Sequence, residues 1–498
     1  MISTLSEFVK APKSLLIAAA GHGKTHAIAE CVQLCPVGKC QLILTHTHAG
    51  IASIKAKMRK LEVDVNKYHI ETITSFAQQY VFAFARTDSL PEVTDKVYFH
   101  LVLDKALKLF SNPHILDVIR LSYSGLFVDE YQDCDETPHK IVMNLGRVLP
   151  THILGDELQG IFGFNGELVD FERDLPDFIR FDLLRKPWRW YQEGNCKELG
   201  DRILDYRTRL MSDNKTIQLV SDSSSHIEVC LSHYEALDYN PESNYYGQLA
   251  YLLRKYDSES LLIIFPSYKD EKGILRGQIW DRVKCKERFD FSNRFFLVEA
   301  IDENAFYSNA KRIDDLIQGI TRAKNKEKKI CEVIEELSFS KTDLNLWFER
   351  KNDYRLITRQ KENRVKSDKL AEICNKFIEH PTKQGVLDLI NFFRFDCGIK
   401  PKRHEIVSSI LLSLNHPDNE KTVFQSMRDL RNTIRRDGRK IQGRCIGTTL
   451  LTKGLEFDNV IILDAHRFED SKNFYVAISR ACKNLVIITR QSTLVFNT

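Results

Sequence analysis

AAAGHGKT, residues 18–25, follows the apolar run Ser14-Leu15-Leu16-Ile17 and leads into His26-Ala27-Ile28-Ala29-Glu30. The first run reads as a short buried strand and the second as the start of a helix. Between them, Gly21 and Gly23 permit a tight turn with backbone N–H groups facing inward. Such a turn at a helix N-terminus makes an anion site. Lys24 is placed to reach the β- and γ-phosphates of a nucleotide, and the Thr25 hydroxyl to sit on Mg²⁺. The first position of this G-x-x-x-x-G-K-[ST] pattern is Ala18. Alanine is tolerated there if the backbone angles are ordinary, because only φ > 0 strongly requires glycine. Taken alone, the stretch also fits a small-residue turn between strand and helix.

Working outward, QLILTH (41–46), YHIETIT (68–74), GLFVDE (125–130) and THILGDE (151–157) read as buried strands ending in polar residues. That is how a parallel α/β sheet presents chemistry beyond the carboxyl ends of its strands. SLLIIFP (260–266), NVIILD (459–464) and NLVIITR (484–490) predict a second sheet, split between two stretches of chain. The charged, helical stretch between them reads as an insertion. The chain has 498 residues, 43% hydrophobic and 28% charged, as in ordinary globular proteins. A net charge of +4 neither identifies nor excludes a nucleic-acid binder, since local patches set phosphate affinity. No secretory leader or membrane span is read, and the twelve scattered cysteines suit a reducing, cytoplasmic compartment. Cys31, Cys35 and Cys40 form the one cluster, short of a fourth metal ligand.

Four more segments narrow the chemistry. In FVDEYQDCDE (127–136), Asp129 suits Mg²⁺ and Glu130 is placed to orient and deprotonate an attacking water. In LGDELQGIFGF (154–164), Gln159 can touch a γ-phosphate. Phe162 and Phe164 are either core residues or platforms on which bases stack. TTLLTKGLEFDNVIIL (448–463) precedes a strand. In FYVAISRACKNLVII (474–488), Arg480 sits where a second domain would supply a finger to the γ-phosphate.

Together these segments resemble the UvrD/Rep-like superfamily 1 DNA helicases. AAAGHGKT is similar to their motif I, which often opens with alanine. DEYQD (129–133), GDELQGIF (155–162), TKGLEF (452–457) and YVAISRA (475–481) are similar to motifs II, III, V and VI. LTHTHAGIASIKAKM (44–58), TITSFAQQY (72–80) and KPWRW (186–190) stand at the positions of motif Ia, the next DNA-contact motif and motif IV. The resemblance implies an α/β fold of two RecA-like parallel-sheet domains, of the P-loop NTPase kind, with helical insertions. Residues 1–185 would be the first domain, with a small helical insertion near 82–118. Residues 186–270 and 440–498 would be the second, and 271–439 the larger insertion.

It further implies ATP and Mg²⁺ as cofactors. Ala18, Ala19, Ala20, Gly21, His22, Gly23, Lys24 and Thr25 would hold phosphates, with Glu456 near the ribose and Thr25 and Asp129 on the metal. Glu130, Gln159, Arg189 and Arg480 would act in hydrolysis. Strand contacts would fall at Thr45, His46, Ser75, Phe164 and Thr448, with Lys55 in the basic stretch 55–60 on phosphates. The implied activity is 3′-to-5′ movement on single-stranded or partly duplex DNA. Several family positions differ: His46, His48 and Ala49 in motif Ia, Thr74, Leu450 and Asn165 elsewhere, and no base-reading glutamine before motif I. ATP hydrolysis is thus better supported than processive unwinding. The compact size and these departures resemble the helicase-like subunits encoded beside OLD-family nucleases, as in the Gabija anti-phage system. That leaves open a partner-gated ATPase working with a nuclease, or an ATPase on RNA.

Overall fold

The computed structural model describes residues 4–87, 90–91, 97–163, 166–238, 240, 243–257, 260–290, 294–301, 303–358, 363–437, 441 and 443–496. Side chains of 435–437 are outside that description. The chain divides into two units, 1–298 with 437–498, and 299–436.

The first unit holds two parallel sheets. Sheet one contains β1 (Lys13–Ile17), β2 (Gln41–Thr45), β3 (Tyr68–Thr72), β4 (Gly125–Val128), β5 (Thr151–Gly155) and β6 (Ile179–Phe181). Their spatial order is β3-β2-β4-β5-β1-β6, with every pairing parallel. β2, β4 and β5 are buried along their whole length, as expected where helices cover both faces. Sheet two contains β7 (Ile227–Leu231), β8 (Leu261–Ile264), β9 (Phe295–Leu297), β10 (Arg444–Gly447), β11 (Phe457–Ile462) and β12 (Ala481–Thr489). Its order is β9-β10-β8-β11-β12-β7, again all parallel. The α/β class with two parallel sheets is as expected.

Two boundaries differ from the sequence reading. The strand expected over 68–74 ends at Thr72, whose hydroxyl accepts the Ser75 N–H at 2.9 Å and caps a helix over Ile73–Phe84. The insertion expected over 271–439 begins at Glu299. The preceding residues form a helix, Ile279–Phe289, and the edge strand β9, whose Phe295 and Leu297 face the core beside Ile446. The high charge around this stretch hides a strand only three residues long.

The second unit is helical, with main helices Asn304–Gly319, Lys326–Glu336, Arg364–Glu379, Lys383–Asn391, His404–Leu414 and Val423–Asp437. Its core draws on Phe306, Ile334, Phe377, Leu389, Phe393 and Ile410. Arg431 of the basic stretch 428–440 lies inside this core, its guanidinium 3.2 Å from the Phe306 ring centre and bonded to Ser409 and Glu405. No described helix is long and apolar enough to cross a membrane.

Candidate active site

β1, β5 and β4 are neighbours in sheet one, so the residues following them meet at one edge. Gly21 and Gly23 adopt φ of 73° and 90°, conformations that favour glycine. A Cβ on Gly21 would also stand 2.7 Å from Trp190 Cζ3. Ala18 has no positive φ, and its N–H donates to Gly155 O at 3.0 Å, which explains why alanine serves there. Gly23 caps the helix Lys24–Leu34 without a side-chain acceptor, leaving first-turn amides for an anion. Lys24 Nζ donates to Ala18 O at 2.8 Å and folds over the loop.

Thr25 Oγ1 donates to Asp129 Oδ2 at 3.3 Å, so a hydroxyl and a carboxylate stand side by side. These hard oxygen donors fit Mg²⁺. Glu130 follows in the left-handed region, with φ of 55°, a conformation that turns its side chain out of the strand line at a cost in backbone strain. Burial pushes the Asp129 carboxyl up to about 7, helped by the neighbouring Glu130. Burial works against the Glu130 charge too, but Lys24, Lys453, Gln132 and Arg480 outweigh it and hold Glu130 below the usual range. Gln132 Nε2 donates to Glu130, and Gln132 Oε1 accepts the Asp156 N–H at 2.9 Å. Asp156 Oδ2 accepts from Gln159 Nε2 at 2.8 Å. One chain of bonds therefore joins Glu130 to Gln159.

Sheet two brings cations to the same place. Arg480 is 1% exposed, and its guanidinium donates to Val476 O, Leu455 O and Ser479 Oγ at 2.9, 3.2 and 2.8 Å. Among the described residues, no carboxylate ion-pairs with it. Burial, then Arg189, pull its pKa down to about 10, leaving it cationic at neutral pH. Arg189 NH2 meets Glu456 Oε1 at 2.7 Å, and NH1 donates to Ser479 O at 2.5 Å. Arg189 Nε is buried without a partner. Lys453 bonds Asp133, and donates to Gln159 O at 2.5 Å. Its ammonium also stands 4.9 Å from the Phe162 ring centre, so Phe162 takes part in the contact between the sheets.

The loop residues, Asp129, Glu130, Gln159, Arg189, Glu456 and Arg480 are thus brought together. The residues expected to touch a nucleic-acid strand are more dispersed. Thr45 is fully buried, and Thr448 is 8% exposed at the cap of the turn Thr449–Thr452. His46 Nε2 lies 3.3 Å from Cys134 Sγ, and burial, then Lys453, hold the ring neutral with a pKa near 4. Ser75 Oγ accepts from Thr72 at 2.8 Å. Lys55, Arg59 and Lys60 are exposed on the helix His48–Lys60, with Ile51, Ile54 and Met58 buried on its other face. Phe164 lies outside the described residues. Cys31 and Cys35 are buried, and no group of three potential ligands that could hold a metal occurs among the described residues.

Sequence reasoning missed four groups. Trp188, half exposed, lies beside Gly23: its Cδ1 is 3.5 Å from where a Cβ would stand there. Lys186 Nζ lies 4.1 Å from its ring centre. Trp190, 1% exposed, packs on Gly21 and Gly200 and donates to Ala481 O at 2.7 Å. Tyr475 accepts the Ala20 N–H at 3.0 Å. Arg207 NH2 meets Asp156 Oδ1 at 2.8 Å. Two tryptophans flanking an arginine were a visible signal. Tyr475 carried none, because its partner is 455 residues away. No curated protein matches the chain. The sequence model of a family described as an AAA domain matches residues 3–165, the stretch carrying the loop, both carboxylates and Gln159, and this likeness supports a P-loop NTPase fold for that stretch.

Proposed function

We propose that this protein is an ATP-driven motor on nucleic acid, hydrolysing ATP between its two sheets and moving 3′ to 5′ along single-stranded DNA. The observation that supports it most is Arg480. A buried guanidinium that forms no ion pair with a carboxylate among the described residues, brought by sheet two to Glu130 of sheet one, suits charge that develops during γ-phosphoryl transfer.

Lys24 and the amides after Gly21 bind the phosphates. Thr25 and Asp129 would hold Mg²⁺, whose charge would offset that of the phosphates. Glu130, kept anionic by the surrounding cations, takes a proton from the attacking water as it approaches in line. Gln159 and Arg189 contact the γ-phosphate, Arg189 being released by Glu456, which turns toward the ribose when nucleotide enters. The exposed face of Trp188 beside the loop stacks on the base. Contacts from sheet two that form around the γ-phosphate and break after its loss move the sheets relative to each other. The cations of 55–60 then hold strand phosphates through part of the cycle.

The buried Thr45 and Thr448 and the neutral His46 favour a second reading, in which a partner protein, such as a nuclease, gates the ATPase. ATP hydrolysis by the purified chain, with and without single-stranded DNA and beside Lys24→Ala, separates the two. Strong stimulation by DNA, abolished in the variant, supports the motor. Hydrolysis indifferent to DNA sinks the autonomous motor and supports gating.

A further inference from the structure

The helix Lys197–Leu210 buries Leu199, Gly200, Ile203, Tyr206 and Leu210. Arg207 falls on the same stripe, three residues before Leu210 and four after Ile203. Its side chain is only 15% exposed, although Arg202 and Arg209 of the same helix are 40% and 48% exposed. A leucine or methionine there would pack without desolvating a charge, and a buried ion pair is seldom more stabilising than such a residue. Packing alone does not explain the arginine. What it touches does.

Arg207 NH2 meets Asp156 Oδ1 at 2.8 Å, and the other oxygen of that carboxylate accepts from Gln159. The Tyr475 hydroxyl, which accepts the Ala20 N–H at 3.0 Å, stands close enough to the Arg207 guanidinium for the two to interact electrostatically. Asp156 is fully buried and its backbone N–H holds Gln132, which holds Glu130. One guanidinium of sheet two is thereby tied, through one carboxylate and one hydroxyl, to the phosphate loop, to Gln159 and to the glutamine that orients Glu130.

We propose that Arg207 is a positioning residue for hydrolysis, setting Gln159 and the Glu130–Gln132 pair through Asp156 and the phosphate loop through Tyr475. It acts through these two side chains, and this role rests on the ATPase reading above. Its loss leaves nucleotide binding by Lys24 and the loop amides in place. What is lost is alignment at the γ-phosphate, where small misplacements are expensive in rate.

The test is steady-state ATP hydrolysis by the full chain, with binding of a fluorescent ATP analogue measured alongside. Arg207→Gln and Asp156→Asn are each expected to lower kcat by about 10- to 100-fold, with KM and the analogue's Kd within about threefold of wild type. The double variant is expected to fall no further than the worse single one, because both remove the same contact. Arg207→Lys is expected to recover part of the rate. Tyr475→Phe, which keeps the ring packing and removes one hydroxyl, is expected to lower kcat by about tenfold. Unchanged kcat in Arg207→Gln, a rise confined to KM, or losses that multiply in the double variant would overturn the proposal. If Arg207→Gln fails to fold, an unchanged kcat in Tyr475→Phe overturns it instead. A wild type that hydrolyses no ATP sinks the ATPase reading and this one with it. Hydrolysis that is unaffected by the Arg207 variants sinks this one alone.

Discussion

The two sheets share a size, an all-parallel pairing and a strand-end geometry, yet their carboxyl ends differ in one respect. In sheet one the residues after β1, β4 and β5 include Lys24, Glu130 and Asp156; Asp156 is ion-paired with Arg207, while among the described residues no ion pair engages Lys24 or Glu130. In sheet two the residues after β7, β11 and β12 close on one another. Glu235 Oε1 is met by His466 Nε2 at 2.9 Å, Arg467 NH2 at 2.7 Å and Arg490 NH1 at 3.2 Å. Asp464 accepts the Ala236 N–H at 3.0 Å and the Tyr245 hydroxyl at 2.9 Å. Sheet two instead turns the residues before its strands, Lys453, Glu456 and Arg480, toward sheet one. One architecture thus makes a reactive edge in one copy and a sealed edge in the other. The difference lies in which charges are left for a ligand to satisfy.

Removing the cation that sheet two lends is the strongest way to break this division. Arg480→Ala is expected to lower kcat by about 10³-fold, the low end for an arginine placed on a transferring phosphoryl group. KM for ATP is expected to change far less. A loss confined to KM would mean that Arg480 binds ground-state nucleotide only. Glu130→Gln comes next, at about 10²- to 10³-fold in kcat, because the amide cannot take the proton. Nucleotide binding should persist in this variant, since it removes negative charge beside the phosphates. A variant that loses binding and rate together would place Glu130 in the metal site.

Trp188→Ala has a smaller and different effect. Base stacking is worth about 1–3 kcal/mol, so KM for ATP should rise about 10-fold with kcat nearly constant. Trp188→Phe should recover most of the difference. Equal KM values in wild type and Trp188→Ala would remove the base from that indole.

Why some of this was legible and some not follows from where each signal resides. The loop, the strands and Asp129-Glu130 announce themselves within a few residues, because glycine conformations, buried runs and strand-end carboxylates are local features. Arg189 and Arg480 were placed by resemblance, and the structure adds that Glu456 is the direct partner of Arg189. Arg207 and Tyr475 were missed because each works through a residue distant in sequence. The helical stripe in 197–210 did contain a clue, one arginine on an apolar face. β9 was hidden by its charged neighbours, and Thr45 by the likeness of a buried strand end to an exposed one.

The sealed edge of sheet two makes the smallest prediction, and it concerns stability. His466, Arg467 and Arg490 overcome burial and hold the Glu235 carboxyl down at about 2, against an ordinary value near 4.5. A depressed folded pKa contributes stability that is complete above about 4.5 and is lost as pH falls toward 2. The full contribution is on the order of 3 kcal/mol. Glu235→Gln should therefore melt below wild type at pH 7, with the gap narrowing steadily between about pH 4.5 and 2. Asp464, pushed up to about 7 by burial and in smaller part by the Glu235 charge, takes its proton before that window opens. Arg467 stays cationic throughout, so the narrowing follows the Glu235 carboxyl. ATP hydrolysis at pH 7 should be the same in both. A gap that stays constant with pH would show that Glu235 acts through shape rather than charge. A change in hydrolysis would show that the sealed edge is not separate from the reactive one, and the contrast between the sheets would have to be redrawn.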